Sequence, residues 1–509
     1  MQTAERRMRN DGAAAALGAF ALALGLAFAA EAFARLDTQR YGELREAERY
    51  QMDVAEKLYH DRKWENAQTE YEKFINLYLK SSSAPYAQYM VAACCENRNL
   101  VNQAIKEYKA VLSYFPESPE APYASFAIGR CQVKCGEQEL AVQQFVQVMN
   151  QFPKEPVAGD ALWEASEIQL QRDLYEKAFE LRRRLVDSSP KSSKFNPAVD
   201  WLVDHYLFKA DDLEAARAVC KMRRSGAEAE RHLAQRRYDR GYWLFVNQGK
   251  KDEGRKAMDK AVELYEGIIE QFAKDKRHVK DAMGMVAQCY RYSGRADKAY
   301  EAYERLLTAF PDEDDWRQHY ALCLEDNGKW SDARVQFMRF KNKARGAMQT
   351  AESYHRQRKV AEAEEAYRKV VNEFPEQAKY ALYRLGNLHQ NVSGDFDKAI
   401  NAYRQSEYNP PEYMFRIGEC HEGWKKYDLA LKDYQEIVGF FKPQAPEAMW
   451  RSGLCYERRN QEGDKERAIA TFKRILDLYP GSGQSSQSHQ RLEDKYKITY
   501  TGGGVKKTE

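Results

Sequence analysis

The chain has 509 residues, 43% hydrophobic and 31% charged, so it can bury a core yet keeps a wetter surface than the ~25% charged average. Lys and Arg number 80 against 77 Asp and Glu, a net charge of +3. That balance excludes nucleic acid as a default partner, because a polyanion needs a basic excess on one face. Only 28 glycines and 15 prolines are present, which disfavours a turn-rich sandwich or barrel and points to helices.

Residues 1–34 form a class of their own. Arg6, Arg7 and Arg9 precede an uncharged run from Gly12 to Ala30, and small residues follow at Ala32 and Ala34. Charged start, apolar middle and small-residue end make an export signal, with cleavage expected before Arg35. The 19-residue run is also just long enough to span a bilayer. Two readings therefore stand, a cleaved signal or an uncleaved anchor that would be the chain's sole membrane attachment. Either puts the rest of the protein outside the cytoplasm, in a periplasm or cell envelope.

From residue 44 a repeat takes over. Ala104, Tyr108, Val111, Leu112, Phe115 and Pro116 recur at the same offsets as Ala299, Tyr303, Leu306, Leu307, Phe310 and Pro311, and as Ala363, Tyr367, Val370, Val371, Phe374 and Pro375. These offsets place every apolar residue on one helical face, and the proline ends the helix because it disfavours α conformation just before it. The alanine is expected to be a point of close helix approach. Anchoring on it gives twelve copies: Ala67, Ala104, Ala141, Ala178, Ala216, Ala261, Ala299, Ala333, Ala363, Ala399, Ala430 and Ala468. Their spacings are 37, 37, 37, 38, 45, 38, 34, 30, 36, 31 and 38. A ring or leucine three before the anchor (Trp64, Tyr175, Leu213, Trp330, Phe396, Tyr427) and a small residue about twelve before it (Ala55, Ala92, Gly129, Ser166, Ala287, Ala321, Gly418) complete a two-helix unit.

With these features the chain resembles the tetratricopeptide repeat family over residues 44–480. The long period and links such as Tyr114-Phe115-Pro116 resemble its periplasmic Tol–Pal-associated and outer-membrane-assembly subgroup. The lipoproteins of that subgroup carry an acylated cysteine just after the signal, whereas the first cysteine here is Cys94, so no lipid anchor is expected. The resemblance implies an all-α superhelical solenoid of about twelve helix pairs. Residues 44–225 would form a first block of about five repeats and 226–480 a second of about seven. Residues 481–509 read as a polar capping helix and a flexible tail. One unit alone buries too little to offset the ordering of its chain, so the repeats must stack.

Cys94, Cys131, Cys289, Cys323, Cys420 and Cys455 each fall two residues after the small residue of a first helix. One phase used six times reads as a small apolar niche for a free thiol, since equivalent helices ~8–10 Å apart leave sulfurs too distant to pair. The nine histidines are scattered, and no metal, nucleophile or phosphate-loop motif is present. Neither a cofactor nor catalysis is expected. Asp312, Glu313, Asp314 and Asp315 read as the start of a helix rather than as a cation site.

Two irregularities remain. The stretch Arg217 to Arg240, with Arg223, Arg224, Arg236 and Arg237, coincides with the 45-residue spacing. It reads either as a basic patch for an acidic partner, glycan or lipid headgroup, or as a solvated linker between two blocks. Tyrosine supplies 33 aromatics, some in the core at four past the anchor, others free to line a groove. The sequence thus predicts an exported, non-enzymatic scaffold whose concave groove takes an extended peptide or helix of another protein. An envelope polysaccharide or peptidoglycan is the alternative ligand, and an enzyme site grafted between repeats the third reading.

Overall fold

The computed structural model describes residues 38–500, so the export-signal pattern of residues 1–34 and the tail from 501 lie outside the described residues. Within them the chain forms 26 α-helices, three π-helical segments and one 3-10 segment, with no strand. Each helix packs chiefly on its neighbours in sequence, and the short links make consecutive helices antiparallel. The architecture is an all-α solenoid of stacked helix pairs. No helix among the described residues is long and apolar enough to cross a membrane.

Contacts divide the chain into two units, one ending at Leu233 and one starting at Ala234, and the division falls inside the helix Gly226–Tyr242. Second helices begin at the residue three before the anchor, as in Trp64–Leu77, Tyr175–Ser188 and Phe396–Ser406. They end before the predicted proline: Phe115, Phe152 and Phe310 are C-caps, and Pro375 opens the next helix, Pro375–Leu388, where its missing N–H costs nothing. All twelve alanines are fully buried.

Five residues before the anchor the backbone turns left-handed. Arg62, Asn99, Gly136, Asp173, Asp211, Gly294, Gly328, Arg358, Gly394, Lys425 and Gly463 all have positive φ there. In the sixth repeat the residue in this conformation is Gly249, which moves the anchor to Gly254, away from Ala261. The packing agrees. A Cβ on Gly241 would lie 2.9 Å from the Gly254 carbonyl oxygen, and a Cβ on Gly254 2.9 Å from that of Gly241. The two backbones meet there, with Ala261 buried two turns further on.

Spacing follows helix length. The sixth second helix, Lys251–Gln271, has 21 residues against 14 in Val101–Tyr114, so with Gly254 as anchor the 45-residue interval runs from Gly254 to Ala299, and the interval from Ala216, over the basic stretch, is an ordinary 38. Short second helices, 9 residues in Trp330–Met338 and 11 in Phe396–Ser406, give the intervals of 30 and 31. The helix Gly483–Tyr496 covers the last pair through buried Leu492 and Ser488. Its start is capped by the Ser482 hydroxyl, which accepts from the Ser485 N–H at 3.1 Å.

Candidate functional site

In most repeats a ring from the second helix rests on the small residue of the first. A Cβ on Gly129, Gly386, Gly418 or Gly453 would come within 2.4–2.6 Å of Phe145, Tyr403, Tyr434 or Phe472. Three residues before that small residue a second ring closes on the first. The pairs Tyr89–Tyr108, Phe126–Phe145, Tyr383–Tyr403, Phe415–Tyr434 and Trp450–Phe472 have centroids 5.1–6.1 Å apart. A buried tyrosine leaves a hydroxyl to satisfy, and the first helix supplies the acceptor. Tyr71 donates to Glu56 at 2.6 Å, Tyr108 to Glu96 at 2.9 Å and Tyr434 to Glu422 at 2.5 Å. Burial, and then the facing carboxylate, holds the Tyr434 hydroxyl well above its usual range.

The same face of the first helices carries a row of polar bridges from one repeat to the next. In the second unit Arg291 meets Asp326 at 2.6 Å, Glu325 meets Arg356 at 2.8 Å and Glu352 meets Arg384 at 3.4 Å. The Tyr383 hydroxyl then donates to Glu412 at 3.1 Å. Glu419 meets Arg451 at 3.1 Å, Glu422 pairs with Arg458, and Glu457 takes Arg491 at 2.5 Å and Lys495 at 2.9 Å. Every step from the helix Lys276–Tyr292 to the final helix is bridged. Beside the bridges stand the half-buried rings of Tyr380, Phe415 and Trp450.

Two repeats of the first unit depart from the ring rule: four past Ala216 stands the buried Cys220, and four past Ala178 stands an arginine. Arg182 occupies the buried position four past Ala178, with its guanidinium 4.2 Å from the Trp163 ring centroid and 4.4 Å from that of Trp201. Its Nε donates to the Ser166 hydroxyl at 3.0 Å and it pairs with Glu167. A planar cation between two indoles replaces ring-on-ring packing with cation–π contact. Burial nevertheless pushes this guanidinium down to about 10.

Repeat-family models match residues 286–339, 348–409 and 447–482 as tetratricopeptide repeats. The chain carries tetratricopeptide repeats. No curated protein matches it in sequence. Among solved structures it is similar to Naa15/Naa10 bound to HypK-THB, at 13% identity over 86% of this chain and 70% of that one, with a TM-score of 0.37. It is also similar to the C-terminal part of a tetratricopeptide repeat-containing protein from Cytophaga hutchinsonii, at 16% identity over 49% and 98%, TM-score 0.34. Yeast Tom70 aligns at 12% identity over 89% of each chain, TM-score 0.32.

The basic stretch is tied into the helices around it. Arg223 and Arg224 both pair with Asp200, at 2.7 and 3.2 Å, and His232 approaches the same carboxylate at 3.4 Å. Those neighbours hold Asp200 below the usual carboxylate range in spite of its partial burial. Arg236 is half-buried and Arg237 buried on the helix Gly226–Tyr242. The acidic run opens the helix Asp314–Asp326, with Glu313 at the N-cap position and Asp314 and Asp315 in the first turn, and it also ties neighbouring elements together. Asp314 accepts from the Lys341 and Asn342 backbone N–H groups at 2.7 and 2.9 Å, and Glu313 pairs with Lys280 at 2.7 Å. Eight cysteines are buried and Cys135 is exposed; burial pushes Cys95 and Cys323 up to about 11. Among the described residues no three His, Cys, Asp or Glu side chains are grouped to hold a metal. Sequence reasoning missed the polar bridges, although an acidic or basic residue four past the small one (Glu96, Arg291, Glu325, Glu422, Glu457) carried the signal.

Proposed function

We propose that the protein is a non-catalytic scaffold working outside the cytoplasm, which holds a polypeptide partner along the first helices of its tetratricopeptide repeats. The observation that carries this reading is the unbroken row of bridges and half-buried rings in the second unit. It offers a paired-charge position at every repeat and, on the helices of Tyr380, Phe415 and Trp450, an apolar ring beside it, a periodic surface suited to an extended or helical segment. Export rests on the pattern of Arg6 to Ala34, and the resemblance of the interhelix links to the periplasmic subgroup supports an envelope setting.

A photo-cross-linking residue at Tyr380 or Trp450 in the native host is expected to yield discrete protein adducts. Adducts to glycan alone, or none, would overturn the protein-scaffold reading. N-terminal sequencing after fractionation is expected to find either a chain starting at Arg35 in the envelope or an intact membrane-bound one. A cytoplasmic chain that retains residue 1 would overturn export.

A further inference from the structure

A cleft of about 550 Å³ opens between the second helix Tyr427–Phe440, the first helix Ala445–Arg459 and the second helix Asp464–Leu478. At ~100° per residue, its floor residues Met449, Ser452 and Tyr456 lie roughly opposite Trp450, Leu454 and Glu457. The cleft is thus on the other side of this helix from the bridged row.

Its charge is unbalanced. Four cations line it, Lys432, Arg459, Arg467 and Arg474, with the single carboxylate of Asp428. Arg459 already holds Asp428, and it shares the buried Asp464 with Arg467, at 2.6 and 3.0 Å. The available carboxylates are thus engaged, while Lys432 and Arg474, both exposed, have no carboxylate partner among the described residues. Between the two cationic walls runs an apolar strip of Leu431, Val438 and Met449.

We propose that this cleft binds an acidic, amphipathic peptide segment of a partner protein, a statement that rests on the scaffold reading above and adds a second surface to it. Arg467 and Arg474 are two turns apart on one helix, ~10 Å at 1.5 Å per residue, with Lys432 on the opposite wall. A compact anion such as phosphate meets one of these positions. A peptide with carboxylates ~10 Å apart and leucine-like side chains between them meets both cationic walls and covers the strip. Guanidinium groups favour such carboxylates through paired, planar hydrogen bonds.

The test uses the full chain and a fluorescein-labelled peptide of alternating Glu-Glu and Leu-Leu pairs, read by anisotropy, with a Lys-for-Glu peptide as control. The acidic peptide is expected to bind, the basic one not, and affinity is expected to fall by about tenfold or more in the double variant Lys432→Gln/Arg474→Gln. Arg474→Lys, which keeps the charge but loses the paired hydrogen bonds, is expected to bind between wild type and the double variant, and unchanged melting curves establish that the variants fold. Equal binding to wild type and double variant would overturn the site, as would no binding at all. Competition by millimolar inorganic phosphate as effective as by unlabelled peptide would reassign the cleft to a small anion. None of these failures touches the scaffold reading, which is read by cross-links from Tyr380 and Trp450 on the other face.

Discussion

A Cβ on Gly453 would stand 2.4 Å from Cε1 of Phe472, so the last repeat closes only because one helix offers no side chain where the other offers a ring. The ring is fully buried and cannot swing into solvent without opening the core. Gly453→Val is therefore expected to lower stability by about 1–3 kcal/mol. Gly453→Val/Phe472→Leu should recover part of the loss, because the smaller side chain can yield. Urea denaturation of the four proteins gives the coupling directly. Additive losses would mean the two residues do not constrain each other.

Arg182 shows how a repeat tolerates a charge where its neighbours place a ring. Truncation to Ala would empty the space between Trp163 and Trp201, so Arg182→Ala is expected to cost about 2–4 kcal/mol. Arg182→Met keeps volume and removes the charge that burial penalises, so a change of about 1 kcal/mol or less is expected. Tryptophan fluorescence reports both, since the guanidinium touches both indoles. A Met variant as unstable as the Ala variant would show that the cation itself, rather than filled volume, holds the indoles in place.

Two half-buried titratable groups should give the units opposite responses to acid. Glu164, beside Lys194, Glu167, Asp160 and Arg130, is pushed up to about 7 by burial. Its folded value lies above the unfolded 4.5, so its contribution is complete below that pH and is lost as pH rises through about 7. His355 is pushed down to about 4 by burial and by Arg384 and Arg356, while its Nδ1 meets the Tyr367 hydroxyl at 3.1 Å. Its contribution is present above the unfolded value of 6.5 and is lost as pH falls through about 4. Hydrogen exchange between pH 4 and 8 should show the first unit gaining protection from Glu164→Gln at the alkaline end. The second unit should lose part of its acid sensitivity in His355→Gln. Identical pH profiles for wild type and both variants would exclude these groups as the source.

The repeat frame was readable because its apolar offsets are chemically uniform: a fully buried alanine and a ring four residues later leave few alternatives. The left-handed turn five before the anchor leaves no such uniform signal in the sequence. Glycine fills it at Gly136 and Gly328, but Arg62, Asp173, Arg358 and Lys425 adopt the same positive φ. Stacking dictates the turn, and the local sequence merely tolerates it. For the same reason the apolar pattern points to Ala261 as the sixth anchor, because it continues for two extra turns along Lys251–Gln271 and Gly254 carries no side chain to announce itself. Bridges such as Glu457 to Arg491 were obscured differently: in a chain with 157 charged residues, pairing appears only once the first helices are placed side by side.

That turn makes a prediction of opposite sign at neighbouring repeats. An L-residue in the left-handed region costs on the order of 1 kcal/mol relative to glycine. Arg358 (φ 60°) is exposed, so Arg358→Gly is expected to stabilise the second unit by about 0.5–1 kcal/mol. Gly328→Val, at φ +76° with open space around it, should destabilise by more than 1 kcal/mol, on the order expected for a β-branched residue forced to positive φ. Thermal melts of both variants decide the matter. If Arg358→Gly destabilises, its side chain contributes contacts that outweigh the backbone strain.

The thiols offer the last check, because it reads the packing of both units at once. Eight of nine cysteines are buried and only Cys135 is exposed. Reaction with a disulfide reagent needs the thiolate, and burial raises Cys131 and Cys420 to about 12, so these sites are both shielded and protonated. Under native, non-reducing conditions one thiol should titrate rapidly, and Cys135→Ser should abolish that phase. The other eight should react only at the rate of local opening, and together once the protein is unfolded in denaturant. Mass spectrometry assigns the order. A fast adduct at Cys94, Cys289 or Cys323 would show that the first-helix niche is open to solvent and would undo the packing on which the repeat frame rests.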